Sequence, residues 1–496
     1  MPVPKVNLTI RDPGLGLAPA DISGIQAKIG VCSKGTPNMV YSFGTRDALV
    51  EALGAGPLVE DAAIALDAGG PVICVPANTT PQQPSAVTAT RTSSSTGTVT
   101  VNGTSNIDVD VVIVITKTGD LEAAEFKLSL DGGATFGEVT LVPTGAYPIA
   151  DTGLSITFTP GVGPIYFEEG DAFTFTARAP YMTSQDLSDA LDALMASQRE
   201  FAFLHVIGGM SAATAAVVSS ALAQAFENGR YLRAIVEAFD VGEGVDKDNI
   251  PVSPSETVSE WENRLLAMWA DFADTRVMVC AGAAKVQSAI SAAQIRRNIA
   301  SVVAARASAV GVSRDLGAVA DGPLTRVVEL YHDARVSPSL HDARFTTMRT
   351  HVGMSGFYIT NGLLMAPTGS DFQLWQYGRV MDVACRTMVR TLARFLNDNV
   401  RVNDTDAEGE PGQDGAPGTI DEGDARAIET EVESALHAAL VAPGHVTRAS
   451  FRVNRSDNII STRKLRGDGR IVPLGYLHEI DVEIGYENPA ISAAAA

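Results

Sequence analysis

The chain has 496 residues, 45% of them hydrophobic, and carries a formal net charge of −21. This length allows roughly three domains with cores of their own, and no apolar run approaches the ~18 residues of a membrane-spanning helix. The acidic balance repels phosphate backbones and anionic lipids, so the sequence predicts neither nucleic-acid binding nor membrane binding.

The four cysteines, Cys32, Cys74, Cys280 and Cys385, are scattered and form no CxxC pair. This usage is typical of reduced, buried thiols made in a cytosol and argues against a disulfide framework or a zinc site. The first residues, MPVPKVNLTIRDPG, lack the apolar stretch of a secretory signal.

Residues 1–24 have the pattern of a short strand on a linker. Val6, Leu8 and Ile10 alternate with polar residues, which is the period of a half-buried strand. Pro13, Gly14 and Gly16 follow and interrupt regular structure. We expect an N-terminal strand arm on a jointed tether.

Residues 25–80 and 180–350 alternate between strand and helix patterns. Apolar runs such as AKIG, PVICVPA, FAFLHVIG, RAIVEAFD and TRVMVCAG are separated by amphipathic stretches such as DLSDALDALMASQ and VSEWENRLLAMWADFA. Such alternation predicts an α/β body with a mostly parallel sheet that is covered on both faces.

Residues 81–179 differ in composition from the body on either side. They are rich in Thr, Ser and β-branched runs such as VDVVIVITKTG and LSITFTP, with turn residues about every ten positions. This pattern predicts a β-sandwich inserted into the α/β body on its outer side, where insertions are tolerated.

Residues 351–475 predict an α+β domain. GRVMDVACRTMVRTLARFLND has a helical pattern, as has TIDEGDARAIETEVESALHAAL, in which Thr419 and Glu422 have the spacing of a capping box. ASFRVNR is a strand candidate. Gly467 and Gly469 lie in RKLRGDGRIVPLG, whose composition predicts a second tether.

Residues 476–496 contain a strand pattern at the end of the chain. Ile480, Val482, Ile484 and Tyr486 alternate with Glu479, Asp481, Glu483 and Gly485. A lone strand cannot satisfy its own backbone, so we expect this C-terminal strand arm to pair with another subunit.

No complete catalytic or metal-binding set is recognisable in the sequence. Walker, dinucleotide-binding and nucleophile-elbow motifs are missing, and Ser461 with Lys464 is an S-x-x-K pattern expected by chance. The acidic stretch 404–410 imitates a calcium loop but has Gly415 where the bidentate glutamate belongs. HDAR occurs at 332–335 and 341–344, where salt-bridged surface or interface residues are the expected role. The sequence therefore predicts no enzyme, no cofactor and no metal.

A basic stripe is the exception in this acidic chain. Arg386, Arg390 and Arg394 recur every four residues along the predicted helix, so they share one face. They form either a solvated face with local carboxylate partners or a docking stripe for an acidic surface on another subunit or partner.

The order of these parts resembles the contractile-tail sheath proteins of bacteriophages and related particles. The resemblance is carried by the N-terminal arm, by GVCSKGTPNMVYSFGTRDALVEALGAGPLVEDAA, AFLHVIGG and RVMDVACRTMVRTLARFLNDNV, and by GRIVPLGYLHEIDVEIGYENP. It spans the chain except 81–179, the position of a variable outer insertion. The fold class expected is thus a multidomain sheath-like body, α/β plus α+β, with an inserted all-β sandwich and terminal strand arms.

The resemblance implies a structural role. In that family, subunits form six-fold rings stacked helically around a tail tube, terminal arms add strands to neighbouring C-terminal sheets, and contraction drives the tube through a bacterial envelope. The partners implied are other copies of the chain, a tail tube protein, and baseplate and tail terminator proteins. The location implied is a virion tail assembled in the host bacterial cytoplasm.

Two other classes of protein stay open. One is an α/β enzyme of unknown chemistry, although no motif supports it. The other is a surface protein or adhesin that carries an Ig-like domain, against which the cysteine usage and the missing secretory signal argue.

Overall fold

A computed structural model describes residues 22–486, except 92–94, 164–165, 198, 292 and 404–416. The chain divides into two compact units, Met1–Asp382 and Val383–Ala496. The predicted start of the C-terminal domain, residue 351, lies within the first unit. The N-terminal arm residues lie outside the described part: Val6, Leu8, Ile10, Pro13, Gly14 and Gly16.

The first unit begins with the predicted strand and helix alternation. The pattern through residues 45–67 forms two helices, because Gly54 and Gly56 adopt positive φ angles and Pro57 starts the second helix. The elements are β1 (Gln26–Gly30), β2 (Tyr41–Phe43), α1 (Arg46–Leu53), α2 (Pro57–Asp67) and β3 (Val72–Pro76).

Residues 81–179 form two antiparallel sheets. In the described part of this segment the strands are β4 (Thr88–Thr90), β5 (Thr98–Gly103), β6 (Val109–Lys117), β7 (Glu125–Ser129), β8 (Thr140–Leu141), β9 (Ala146–Ile149), β10 (Leu154–Thr159) and β11 (Ala172–Ala177). The sheets have the orders β5-β10-β9 and β4-β11-β6-β7-β8. Apolar side chains of both sheets, among them Ile113, Phe158 and Phe173, belong to one buried cluster.

The α/β body resumes after the insertion and completes the largest sheet. Its elements are α3 (Ser184–Ala196), β12 (Phe203–Met210), α4 (Ala212–Glu227), β13 (Arg233–Ala238), α5 (Val258–Trp269) and β14 (Val277–Cys280). The strand order is β14-β13-β12-β1-β3-β2, and every pairing is parallel except that of β2. Buried apolar clusters lie on both faces, so the predicted mostly parallel, doubly covered sheet is confirmed.

The rest of the first unit consists of short elements. These are β15 (Ala283–Gln287), β16 (Gln294–Asn298), α6 (Ala300–Ala309), a 3-10 turn (Val319–Asp321), β17 (Val327–Leu330), α7 (Ser339–Asp342), β18 (Met348–Arg349) and β19 (Tyr358–Ile359). β15 pairs with β16 and β17 in a small antiparallel sheet.

The described residues of the second unit form helices and a two-stranded sheet. Its elements are α8 (Trp375–Leu392), in which the division between the units falls, a 3-10 turn (Ala393–Phe395), α9 (Glu422–Leu436), a π-helical turn (His437–Val441), β20 (Arg448–Val453), α10 (Ile459–Thr462) and β21 (Gly467–Val472). The predicted capping box of Thr419 and Glu422 is wrong, because Asp421 caps α9 by accepting a hydrogen bond from the Gly423 N–H.

Candidate assembly surface

The two-stranded sheet of the second unit replaces the predicted tether. β20 and β21 pair antiparallel, from Arg448 opposite Val472 to Val453 opposite Gly467. Gly467 and Gly469 therefore lie in a strand rather than in a flexible linker. β21 has no strand pattern in the sequence, because Gly, Asp and Arg fill its first positions, where strands usually have β-branched or aromatic residues.

One edge of this sheet is closed by side chains of α9. The backbone N–H groups of Phe451 and Val453 point away from β21 and donate to Glu433 Oε1 at 3.1 Å and to Glu429 Oε1 at 2.8 Å. Arg455 bonds to both carboxylate oxygens of Glu429, which holds the pKa of that carboxyl below its usual value. The outer edge of β20 is thus occupied by carboxyl oxygens of α9 that accept its backbone hydrogen bonds.

The other edge of the sheet is open. In the described part of the chain, β21 pairs only with β20. Asn454 donates to the Arg466 carbonyl at 2.8 Å, which fixes the register so that residues 468, 470 and 472 of β21 face β20. The backbone groups of Gly467, Gly469 and Ile471 therefore point outward, and an exposed edge of this kind can accept another strand.

The predicted C-terminal strand is exposed in the single chain. Residues 473–486 contain no strand and no helix. Ile480, Val482, Ile484 and Tyr486 are 72%, 78%, 97% and 110% exposed. Four large apolar side chains in solvent on one short segment are unusual for a surface that stays uncovered.

Each arginine of the basic stripe has an interaction partner. Arg386 and Arg390 lie on α8, and Arg394 lies in the 3-10 turn after it. Arg394 Nη1 is 3.0 Å from Glu431 Oε1, and Arg386 and Arg390 also have interaction partners. With Glu431 and Arg426, Arg394 lines an open groove of about 710 Å³ between the end of α8 and α9.

A buried ionisable cluster in the first unit has no counterpart in the sequence analysis. Lys28 Nζ is 2.8 Å from His205 Nδ1, and His205 Nε2 is 3.1 Å from Glu237 Oε1. Asp61 on α2 lies near these three side chains, and Arg297 Nε is 3.9 Å from Asp61 Oδ1. Lys28, His205 and Glu237 are each a single ionisable position within an apolar run, and that contrast is the signal that could have revealed them. Asp61 follows Glu60 and Arg297 follows Arg296, so neither stands out in the sequence.

Burial dominates the electrostatics of this cluster. It lowers the pKa of Lys28 and, more strongly, that of His205. It raises the pKa of Asp61, and it raises the pKa of Glu237 to about 7. With Nδ1 accepting from Lys28, the neutral imidazole donates from Nε2 to Glu237, whose Oε2 accepts from the Gly208 N–H at 2.8 Å.

Three side chains of the cluster are of types that can bind a metal ion. Ligand atoms of Asp61, His205 and Glu237 lie within 4.8 Å of one another. However, Lys28 Nζ already contacts His205 Nδ1 and Arg297 borders Asp61, so two basic side chains line the cluster and oppose the binding of a divalent cation. Among the described residues, neither carboxylate oxygen of Asp61 has a hydrogen-bond partner, so this carboxyl is held by longer-range attraction to the two basic groups.

The histidines of the repeated HDAR motif are structural. His332 is buried, and its Nε2 lies 2.8 Å from Glu262 Oε1, while Asp333 accepts a hydrogen bond from the Thr350 hydroxyl at 2.6 Å. His341 belongs to the short helix α7.

The calcium-loop imitation at 404–410 lies outside the described residues. Among the described helices, none has the length and hydropathy needed to cross a membrane.

Comparison with solved structures defines the fold. A chain of the anti-feeding prophage (AFP) baseplate matches with a TM-score of 0.52 and 10% identity, covering 98% of this chain and 100% of that one. A chain of the AFP helical sheath in its contracted state matches with a TM-score of 0.51 and 11% identity, over 98% and 100%. A sheath tail protein from Desulfitobacterium hafniense matches with a TM-score of 0.47 and 14% identity, over 95% and 100%.

Protein families and curated sequences were the second comparison. No curated protein matches the sequence. The family model described as the DUF2586 N-terminal domain matches residues 3–363. With most of its length matched by that model, and with the fold of contractile-sheath chains, this chain belongs to the DUF2586 family.

Proposed function

We propose that this chain is the structural subunit of a contractile sheath. The observation that carries the proposal is the fold likeness to the AFP helical sheath, which extends over 98% of this chain and all of that one. In this role, copies of the chain stack as six-fold rings around a tail tube, and contraction of the sheath drives the tube through a bacterial envelope. The chain turns over no substrate and acts through its surfaces.

The open edge and the exposed segment support exchange of strands between copies. β21 offers outward backbone groups, while Ile480, Val482, Ile484 and Tyr486 need a covered face. An added strand gains main-chain hydrogen bonds, and burial of each apolar side chain contributes roughly 1.5–3 kcal/mol. Ordering the segment costs about 1–2 kcal/mol per residue, so each link is modest and the repeating lattice multiplies it.

The remaining sequence predictions fit the same role. Val6, Leu8 and Ile10 form the second intersubunit arm, with Pro13, Gly14 and Gly16 as its linker. Arg386, Arg390 and Arg394 contribute to docking on the tube or on a neighbouring subunit. Residues 81–179 are a sandwich that faces outward from the sheath.

The proposed particle also defines partners and location. Beside the tube, the sheath ends contact a baseplate and a tail terminator, and the subunit assembles in the cytoplasm of the bacterium that produces the particle. A phage tail and a related injection particle are both compatible with this role. The enzyme and adhesin alternatives have no specific observation in their favour.

Deletion of residues 1–12 tests the proposal. The truncated protein should stay soluble and melt cooperatively but should no longer form the rings or tubes that the full chain forms. Negative-stain electron microscopy, size-exclusion chromatography and thermal melting measure the three properties. Compact monodisperse particles from the full chain under all conditions would contradict a sheath subunit, and normal tubes from the truncation would contradict the role of the arm.

A further inference from the structure

The first described residues of the chain lie beside a buried arginine of α8. Arg379 is 1% exposed, and its Nη2 donates a hydrogen bond to the Ser23 carbonyl. Ser23 comes after the segment proposed as the N-terminal arm and its linker, and it lies three positions before β1. The contact therefore joins the root of the arm to a helix that lies 356 positions later in the sequence.

Two aromatic rings hold the Arg379 guanidinium in place. Its Cζ lies 4.8 Å from the centroid of the Phe203 ring and 5.6 Å from that of the Trp375 ring. The two rings pack edge to face, with their centroids 5.6 Å apart. Arginine suits such a site because its planar guanidinium packs on aromatic rings and presents its donors in a rigid fork. The donor that meets Ser23 is thus positioned by buried packing.

Residues 22–25 form a tight turn at this donor. The Ile25 N–H donates to the Ile22 carbonyl at 2.9 Å, and the Ile25 carbonyl accepts from the Ala202 N–H at 2.8 Å. The turn leads directly into β1, which lies between β12 and β3 inside the largest sheet. The chain therefore enters the body at a fixed position, and Arg379 holds the turn from the side of α8.

A fixed exit point favours capture of the arm by a neighbouring copy. A tethered segment reaches its partner at an effective concentration that falls as the tether lengthens. A loosened turn would add four residues to the tether, and length alone would lower that concentration roughly 1.5–2-fold. These residues would also have to be ordered again on docking, which costs further conformational entropy.

We propose that Arg379 is a positioning residue for the N-terminal arm: by holding the Ser23 carbonyl, it fixes the turn of residues 22–25 and with it the point at which the arm leaves the body. The proposal rests on the proposed function and adds the anchor of the arm to it. Movement of the arm relative to the body then begins before residue 22 and leaves β1 undisturbed.

Arg379→Met in the full-length protein tests the anchor. Methionine fills irregular core space but lacks the donor, and replacing a buried charged group by a well-packed apolar one is often neutral for stability. The Ser23 carbonyl is partly exposed, so water can replace the lost donor. The variant should melt close to the wild type. Its turn amides should exchange with solvent about threefold faster or more, and the concentration for half-maximal assembly should rise about threefold or more.

Two further variants separate the anchor from the helix that carries it. Gln376→Met is the matched control, because it also removes a buried polar side chain of α8, but one that donates to Asp315 Oδ2 at 2.9 Å. It should keep the turn and the assembly of the wild type. Arg379→Lys retains the charge and a donor, so both of its readouts should lie between those of the wild type and Arg379→Met.

Hydrogen exchange by mass spectrometry measures the turn in the unassembled subunit, and the amides of Gln26–Gly30 report any general loosening of the sheet. Sedimentation and electron microscopy measure assembly, and thermal melting measures folding. If Arg379→Met does not melt cooperatively, Arg379→Gln takes its place with the same expectation, since it removes the same donor and stays polar.

The outcomes keep this inference apart from the proposed function. Wild-type exchange in the turn of the Arg379 variants, or faster exchange together with wild-type assembly, would overturn the positioning role and leave the sheath role standing. An equal loss of assembly in Gln376→Met would also overturn it, because the disturbance of α8 would then be the cause. A wild-type chain that forms no polymer under any condition would overturn the sheath role and this inference with it.

Discussion

A Cβ atom built on Gly467 would lie 2.3 Å from Cζ of the Phe451 ring, and one on Gly469 would lie 3.0 Å from the Met388 sulfur. The missing side chains of these two glycines thus leave the space in which the Phe451 ring and the Met388 thioether pack against β21. The sequence suggested a hinge at these positions because glycine is typical of linkers. The distinction between a hinge glycine and a packing glycine depends on the neighbour across the sheet, and a single sequence does not contain that neighbour.

Replacement of Gly467 by alanine should therefore destabilise the second unit. The added methyl group forces Phe451 to move, and such overpacking costs about 1–3 kcal/mol. Gly475→Ala is the matched control, because nothing lies within 4 Å of the added Cβ atom and its effect should stay within about 0.5 kcal/mol. Thermal and urea unfolding measure both effects. If the two variants are equally stable and Gly467→Ala alters only assembly or contraction, then Gly467 acts as a hinge residue after all.

Glu237 should make stability depend on pH. Burial raises the pKa of this carboxyl from the ordinary 4.5 to about 7, so the folded state holds the proton more tightly than the unfolded chain. The stabilisation is fully present below pH 4.5 and is lost as the pH rises toward 7. Glu237→Gln cannot ionise, and on going from pH 5 to pH 8 it should gain about 1–3 kcal/mol relative to the wild type.

Urea unfolding of both proteins at the two pH values measures this difference. Glu329→Gln, a change at an exposed carboxylate in the same unit, is the control, and its effect should be equal at pH 5 and pH 8. A Glu237→Gln effect that is also equal at both pH values would show that the buried cluster keeps Glu237 ionised throughout.

At the scale of secondary structure, the sequence predicted the helices and strands whose apolar residues recur with a long and regular period. The α/β strands and helices α3, α4, α5 and α8 follow from runs with a period of 3.6 or from short apolar stretches between them. β21 did not follow, because its pairing with β20 determines it rather than its own composition. The open edge of β21 and the capped edge of β20 could not be predicted, since they depend on where α9 places two carboxylates.

A proline scan of β21 should separate folding from assembly. Ile471 has an outward N–H, so Ile471→Pro removes a donor from the open edge and leaves the ladder to β20 intact. Asp468 faces β20, so Asp468→Pro removes a ladder hydrogen bond and should lower the melting temperature. The first variant should melt close to the wild type but fail to form tubes. Tubes formed by folded Ile471→Pro would mean that strands are added elsewhere.

At the scale of the whole molecule, the sequence located the change in composition at residues 81–179, and the structure adds how this segment joins the body. The chain enters and leaves it through one antiparallel bridge, in which Thr80 and Tyr181 exchange backbone hydrogen bonds of 2.8 Å and 3.1 Å. Ion pairs also cross to the body: Arg178 Nε is 3.4 Å from Glu243 Oε1, and Asp108 Oδ2 is 4.0 Å from Arg297 Nη1. None of these partners has a signature in the sequence.

Replacement of residues 81–179 by a short Gly/Ser linker should leave a folded body that still assembles. The linker has to span only the two ends of the Thr80–Tyr181 bridge, whose Cα atoms are about 5.5 Å apart in such a pair. Losing the partly exposed pair of Arg178 and Glu243 should cost no more than about 1 kcal/mol. The buried Arg297 loses Asp108 but keeps Asp61 beside it. As control, a chain that retains the insertion but carries Arg178→Gln measures the loss of this arginine's ion pairs with Asp110 and Glu243. Circular dichroism, thermal melting and electron microscopy compare the three proteins. A linker variant that is unfolded while Arg178→Gln is native would show that the insertion is part of the folding core, because its removal would then cost more than the charged contacts explain.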